Sequence, residues 1–147
     1  MSSTKIRKAL LAGDVSKVFN YLGYHYQLEG TVVKGKEIGR TIDFPTANLG
    51  SIDSTKLIPK DGVYAVKISY EGKEFDGMMN IGTRPTIDEQ QEKTIEVNIF
   101  DFNQNIYQKN IRVYFKARIR DEKKFNSPEE LVSQLNMDKD QALKIVK

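Results

Sequence analysis

The chain has 147 residues, 39% of them apolar, and a net charge of +3; that is enough for one domain and short for two full-sized ones. Cysteine is absent and histidine occurs once, at His25, which excludes disulfides, thiolate metal sites, a cysteine nucleophile and any two-histidine centre. No apolar run reaches the length of a membrane span, and the first one, Ala9 to Ala12, is too short for a signal-peptide core. The chain therefore reads as cytoplasmic, with no membrane partner. Its positive charges interleave with acids, as in Glu71-Gly72-Lys73-Glu74 and Asp121-Glu122-Lys123-Lys124. Such a surface lacks the concentrated basic stripe of a nucleic-acid binder.

In chain order, residues 3 to 22 read as two short helices. Ile6, Leu10 and Leu11 make an apolar face that Gly13 ends. Asp14 caps a second helix, whose face is Val15, Val18, Phe19 and Leu22 and whose stop is Gly23. His25 is read as a packing or surface residue. The middle alternates with period two, the signature of strands with one buried face. Leu28 to Lys34 is β-rich. Tyr64, Val66, Ile68 and Tyr70 alternate with polar or small residues, and the turn Glu71-Gly72 leads to Phe75, Gly77, Met79 and Ile81, a hairpin. Ile95, Val97 and Ile99 form another strand face, and Ile111, Val113, Phe115, Ala117 and Ile119 the last. Five or six such strands joined by short turns imply a closed antiparallel barrel. At the end, Ser127-Pro128-Glu129-Glu130 starts a helix with a capping serine and a proline at its first position. Leu131, Leu135, Ala142 and Ile145 supply its contacts, with a break expected near Asn136 to Asp138.

The segment from Gly30 to Asn48 carries the most chemistry. A strand enters a loop holding Gly35, Lys36, Gly39 and Arg40, then the chain extends through Phe44-Pro45-Thr46-Ala47-Asn48-Leu49. Proline holds Phe44 out of the helical region. In an extended chain Thr46 and Asn48 share one side, while Pro45, Ala47 and Leu49 share the other and can pack on the barrel. Thr46 and Asn48 offer neutral oxygens suited to Mg²⁺ when phosphates supply the remaining ligands. The glycines admit close backbone approach to phosphate, with Lys36 and Arg40 adding charge. Taken alone, the same residues also describe an exposed basic turn with local hydrogen bonds. The loop is not a Walker A sequence.

The loop and the Phe-Pro-Thr-Ala-Asn that follows it resemble the nucleotide-binding segment of riboflavin kinases, including the kinase half of bacterial bifunctional riboflavin kinase/FMN adenylyltransferases (FAD synthetases). The resemblance continues through Asn80-Ile-Gly-Thr-Arg-Pro-Thr86, Thr94-Ile-Glu-Val-Asn-Ile-Phe-Asp-Phe102 and Arg118-Ile-Arg-Asp-Glu-Lys-Lys-Phe125, so it covers roughly residues 24 to 147. It implies a mainly β fold: a six-stranded antiparallel Greek-key barrel with a C-terminal helix and short N-terminal helices. It also implies transfer of the γ-phosphate of ATP, with Mg²⁺, to the ribityl 5′-hydroxyl of riboflavin, giving FMN and ADP. Thr46 and Asn48 would then hold the metal and ATP, alongside Gly35, Lys36, Gly39 and Arg40. Asp101 and Tyr107 would lie near the nucleotide. Gln108 stands where the family often has glycine, which bears on the turn around Tyr107.

By the same resemblance Glu96 acts on the 5′-hydroxyl. The alternation independently puts it on the polar face of its strand, where a solvated glutamate is the ordinary occupant. Arg120, Lys123 and Phe125 match the flavin-contacting loop; read as residues only, they are surface charges and a helix-start anchor. Gly82 to Thr86, leading into the polar run Ile87 to Lys93, is a candidate flap. Ser2-Ser3-Thr4-Lys5-Ile6-Arg7 resembles the final signature of the adenylyltransferase half. Residues 1–23 are therefore expected to be a helical remnant or linker from a preceding adenylyltransferase domain, and residues 24–147 the kinase domain. With one histidine, the chain is not expected to carry adenylyl transfer itself. Two other readings fit a small barrel: a non-catalytic flavin- or nucleotide-binding protein, and an OB-type nucleic-acid binder that would need exposed aromatics on a basic face.

Overall fold

The computed structural model describes residues 3–33, 46–53, 55–85, 87–88 and 90–146. Lys34 to Pro45, including Gly35, Lys36, Gly39 and Arg40, lie outside the described residues.

Two helices, α1 (Ser3–Ala12) and α2 (Val15–Leu22), precede six strands: β1 (Gln27–Val33), β2 (Ala47–Gly50), β3 (Gly62–Tyr70), β4 (Lys73–Pro85), β5 (Gln91–Ile99) and β6 (Asn110–Arg120). The long helix α3 (Pro128–Val146) closes the chain. The strands form a closed barrel in the order β1-β2-β5-β4-β3-β6, with antiparallel neighbours throughout. The run β3-β4-β5 is a meander, while β2 sits beside β5 and β6 closes onto β1, the Greek-key return. Closure leaves no open sheet edge.

The alternating residues fill the barrel. Leu28, Leu49, Tyr64, Val66, Ile68, Met79, Ile81, Val97, Ile111, Val113 and Phe115 are buried in one cluster. Tyr64 and Tyr70 belong to it, so neither offers a stacking face to a nucleic acid. Ala9, Leu10, Val15 and Val18 belong to the same cluster, so α1 and α2 pack on the barrel core. The Lys60 amide donates to the Leu10 carbonyl (3.0 Å), tying α1 to the chain before β3. Asp14 caps α2 by accepting from the Lys17 amide at 3.0 Å, and Gly23 ends it in the left-handed conformation (φ 81°). Leu11, expected on the apolar face of α1, is 52% exposed; Ala9 takes the inward position instead.

Two features depart from simple periodicity. The pairing of β3 with β6 shifts register between Val63 and Tyr64 and again between Ala65 and Val66. Each shift moves one side chain across the wall. Inward alternation therefore stops after Phe115. Arg118 is paired with Tyr64, and its guanidinium donates to the Asp61 carbonyl (2.6 Å). Ala117 is paired with Ala65, and Ile119 packs with the second cluster, which α3 covers.

The expected break near Asn136 to Asp138 is absent, and α3 is continuous. Its inward face runs Leu135, Asp138, Ala142 and Val146, a spacing of three, four and four. The face looked interrupted because one of its positions is an acid. Asp138 is 1% exposed and accepts from Arg120 at 2.8–3.1 Å and from Gln134 at 2.9 Å. With the helix continuous, Ile145 falls on the exposed side, and Leu143 and Val146 make the contacts expected of it. At the start, the Glu130 amide donates to Ser127 Oγ (3.2 Å) and the Asn126 amide to Glu130 Oε2 (3.0 Å), a reciprocal cap.

Removing one partner of a buried ion pair leaves the other charge desolvated without compensation. Asp138→Asn is expected to lower unfolding free energy by about 3 kcal/mol, read from urea denaturation. The paired change Arg120→Met with Asp138→Leu should recover most of that loss, because no charge is then stranded.

Candidate functional site

The site begins with a short strand. Leu49 of β2 points into the core and Ala47 packs against it, so Asn48 between them faces outward. β2 pairs with β5 in the register Ala47↔Val97 and Asn48↔Glu96. Val97 and Ile95 are core residues, so Glu96 also faces outward. The same register of β5 on β4 sets Asn80 opposite Glu96. The outer wall thus carries a row of three in-register polar side chains, Asn48, Glu96 and Asn80, each on its own strand. Directly opposed residues on one face have Cβ atoms about 4.5–5.5 Å apart. The row continues through Val63 to Arg120. Thr46 immediately precedes β2 and is exposed. The strand register puts the positions of Glu96 and Asn48 directly opposite each other.

Asn80 was not singled out as a site residue from sequence, although alternation with Met79 and Ile81 places it on the outer face. Its side-chain oxygen Oδ1 is buried and has no hydrogen-bond partner. One row along, Gly82 leaves space for the Glu122 carboxylate and Thr94: a Cβ built there would lie 3.1 Å from Glu122 Oε2 and from Thr94 Oγ1.

The loop after β5 carries Asp101 and Tyr107, and its far end is bonded to Val32 of β1 through Gln108 and Lys109. Asp101 directly follows Phe100, is exposed, and has φ 53°. Tyr107 is 43% exposed, and its amide donates to Asn105 Oδ1 (3.0 Å). Gln108 adopts φ 67°, the left-handed conformation that glycine takes without penalty. Its amide still donates to the Val32 carbonyl at 2.8 Å, so the turn is kept despite the side chain. Val32 pairs with Leu49 and Val33 with Asn48, so Tyr107 is held near the strand that carries Asn48.

On the other flank, Arg120, Lys123 and Phe125 gather. The Arg120 guanidinium lies 5.8 Å and Lys123 Nζ 5.6 Å from the Phe125 ring centre. Arg120 donates through Nε and one terminal nitrogen to Asp138 and through the other to the Asp121 carbonyl. These bonds fix the β6–α3 junction and leave the guanidinium beside the Phe125 ring. Lys123 is exposed and Phe125 half-buried.

The candidate flap is shorter than the polar run suggested. β4 extends to Pro85 and β5 starts at Gln91, with Gln91, Glu92 and Lys93 paired to Pro85, Arg84 and Thr83. Ile87 in the connection is fully exposed. The base of this hairpin is clamped by Asp61, which accepts from Thr83 Oγ1 at 2.6 Å and from the Lys93 ammonium. Burial alone would push the Asp61 carboxyl up, but the bonds from Lys93 and Thr83 and the Lys93 charge outweigh it and hold it below the ordinary aspartate value.

His25 stacks on Phe19 with ring centres 4.3 Å apart, as a packing residue does. Burial, and then the charge of Lys116, depress its pKa below the usual histidine value.

The closed six-stranded Greek-key barrel, with a row of Asn48, Glu96 and Asn80 on its outer wall, defines the class as a small antiparallel barrel protein. The chain belongs to the riboflavin kinase family: the family model, described as "Flavokinase: Riboflavin kinase", matches residues 22–146. The bifunctional riboflavin kinase/FMN adenylyltransferase of Bacillus subtilis (strain 168) is 44% identical over 146 residues, 98% of this chain and 46% of that protein. The chain thus spans about half the length of the curated relatives it matches. A Streptococcus pneumoniae crystal structure described as a macrolide-efflux protein superposes with a TM-score of 0.90 at 43% identity, over 95% of this chain and 45% of that one. The riboflavin kinase structure from Trypanosoma brucei shares the fold, with a TM-score of 0.57 at 21% identity, over 84% of this chain and 80% of that one. Among the described residues no helix is long and apolar enough to cross a membrane.

Two outcomes are expected from these local contacts. A carboxyl held low when folded adds stability that is complete above its ordinary value of 3.8 and fades as pH falls through the lowered value. Wild type should therefore exceed Asp61→Asn in urea stability at pH 7, and the gap should close as pH falls from 3.8 through the lowered value. Gln108→Gly removes a left-handed strain and should raise stability by about 0.5–1 kcal/mol, measured in the same way.

Proposed function

We propose that this domain transfers the γ-phosphate of ATP to the 5′-hydroxyl of riboflavin, giving FMN and ADP, and that it does so in the cytoplasm. The observation that carries the reading is the register placing Glu96 opposite Asn48, with Thr46 two residues before it. An alcohol is far weaker an acid than a protonated carboxyl, so Glu96 cannot remove the proton in advance. It orients the hydroxyl and takes its proton as the new O–P bond forms and the bond from phosphorus to the departing ADP oxygen breaks. Phosphoryl transfer has a loose transition state, in which positioning and charge neutralisation dominate.

Among the described residues no cluster of three His, Cys, Asp or Glu side chains forms a metal site. The donor set here is instead the Asn48 carboxamide oxygen and the Thr46 hydroxyl. Two neutral oxygens fit a cation whose charge is already balanced by phosphates, and Mg²⁺ is the ion of that kind that keeps few protein ligands. Bound with ATP, it would neutralise charge on the phosphates. Gly35, Lys36, Gly39 and Arg40 are proposed to line the phosphates, and Asp101 and Tyr107 to flank the nucleotide. Lys123 and Phe125 are proposed to face the flavin ring. Arg120, which holds α3 through Asp138 and lies beside Phe125, is proposed to meet the flavin with its guanidinium.

Glu96→Gln keeps the side chain's shape and loses its basicity. Turnover should fall about 10²–10⁴-fold, with ATP and riboflavin dissociation constants within about threefold of wild type. FMN formation is followed by chromatography and binding by calorimetry. Near-normal turnover would remove Glu96 from the reaction. A wild-type chain that binds flavin and yields no FMN would instead be a binding protein.

A further inference from the structure

The Asn80 carboxamide oxygen is buried and lacks a donor. Leaving such a group without a partner typically costs about 1–3 kcal/mol. The side chains directly opposite it are Val63 on β3 and Glu96 on β5. Valine has no donor, and an ionised carboxylate only accepts. Along β4 its same-face neighbours are Met78 and Gly82, which also bring no side-chain N–H or O–H. Among the described residues, those directly opposite Asn80 and next to it on β4 thus offer its oxygen no donor. A ligand hydroxyl entering the site can supply one.

We infer that Asn80 is a specificity-determining residue that accepts a hydrogen bond from a secondary hydroxyl of the ribityl chain while Glu96 engages the terminal one. The inference rests on the riboflavin reading above and deepens it. A polyol is the part of that substrate that carries several O–H donors in sequence, spaced along a flexible chain. Two adjacent acceptors one strand apart can grip two of them, which fixes the terminal oxygen toward Glu96. An acceptor substrate with a single hydroxyl would satisfy one group and leave the other unpaired. Discrimination by an unpaired buried group exceeds what an apolar pocket achieves.

The test is a cycle between residue and substrate. Riboflavin and its 2′-, 3′- and 4′-deoxy analogues are compared on wild type, Asn80→Ala and Asn80→Ser, using KM, kcat and binding by flavin fluorescence. Loss of one neutral hydrogen bond should raise the riboflavin KM of Asn80→Ala about threefold to tenfold, with the ATP KM unchanged. One deoxy analogue should bind wild type more weakly by a similar factor and bind Asn80→Ala no worse than riboflavin does. Asn80→Ser, which restores an acceptor oxygen, should recover part of the loss. If every deoxy analogue is penalised equally on wild type and Asn80→Ala while wild type makes FMN, the Asn80 inference is overturned and the kinase reading stands. If wild type makes no FMN, both fall.

Discussion

The pairing of β2 with β5 is the constraint on which the site depends. Among the described residues that ladder joins Ala47 to Val97 and Asn48 to Glu96, and β2 is four residues long. A slip of one residue would turn Asn48 inward and Leu49 outward. Leu49 prevents this, because it is buried in the barrel core and loses that burial if the register moves. Core packing and site geometry are therefore one fact seen from two sides of the wall. The apolar side of the strand sets where the polar side points.

A second constraint comes from α3. It covers Ala65, Met78 and Phe100 on the outer wall, next to the polar row. Asp138 anchors this helix to Arg120 at the end of the row, and the chain from Asp121 to Asn126 is thereby held beside β4, with Glu122 over Gly82 and Phe125 near the Arg120 guanidinium. A buried pair of this kind is a poor source of net stability compared with apolar packing. Its consequence here is orientation: the fork of the guanidinium fixes both the helix and the loop that is proposed to meet the flavin.

The barrel was legible because its strands obey period two and its turns carry Gly. The helix ends were legible for the same local reasons, through Asp14, Gly23 and Ser127. What was misread has a physical cause in each case. Asp138 looked like a helix break because an acid at an inward position is uncommon unless paired, and its partner Arg120 is distant in sequence from it. Inward alternation was extended too far along β6 because two register shifts, invisible in a linear pattern, carry Arg118 to a different side from the one counted. The polar run after Pro85 was taken as loop, yet Gln91 to Lys93 continue the ladder; polar residues can sit in a strand whose face is wet. Asn80 went unnoticed since an asparagine on an outer face is ordinary. Only the register shows that it lies beside Glu96, and only burial shows that it lacks a donor.

The choice of neutral groups around Glu96 follows from the charge it is proposed to work beside. ATP brings several negative charges, and a second carboxylate in the row would repel them and also compete with Glu96 for the proton. Carboxamides on both flanks supply oxygen acceptors of similar reach without adding charge. They also offer N–H donors that a carboxylate would lack. The positive charge that a polyphosphate needs is then free to come from elsewhere, and in this sequence Lys36 and Arg40 lie between β1 and β2, the two strands that converge on Asn48. A carboxylate flanked by two carboxamides, in a protein whose sequence carries Lys36 and Arg40 between β1 and β2, fits the proposed division between proton transfer and charge neutralisation. On the proposed reading, that division lets a glutamate in a strand act as the base without a histidine beside it.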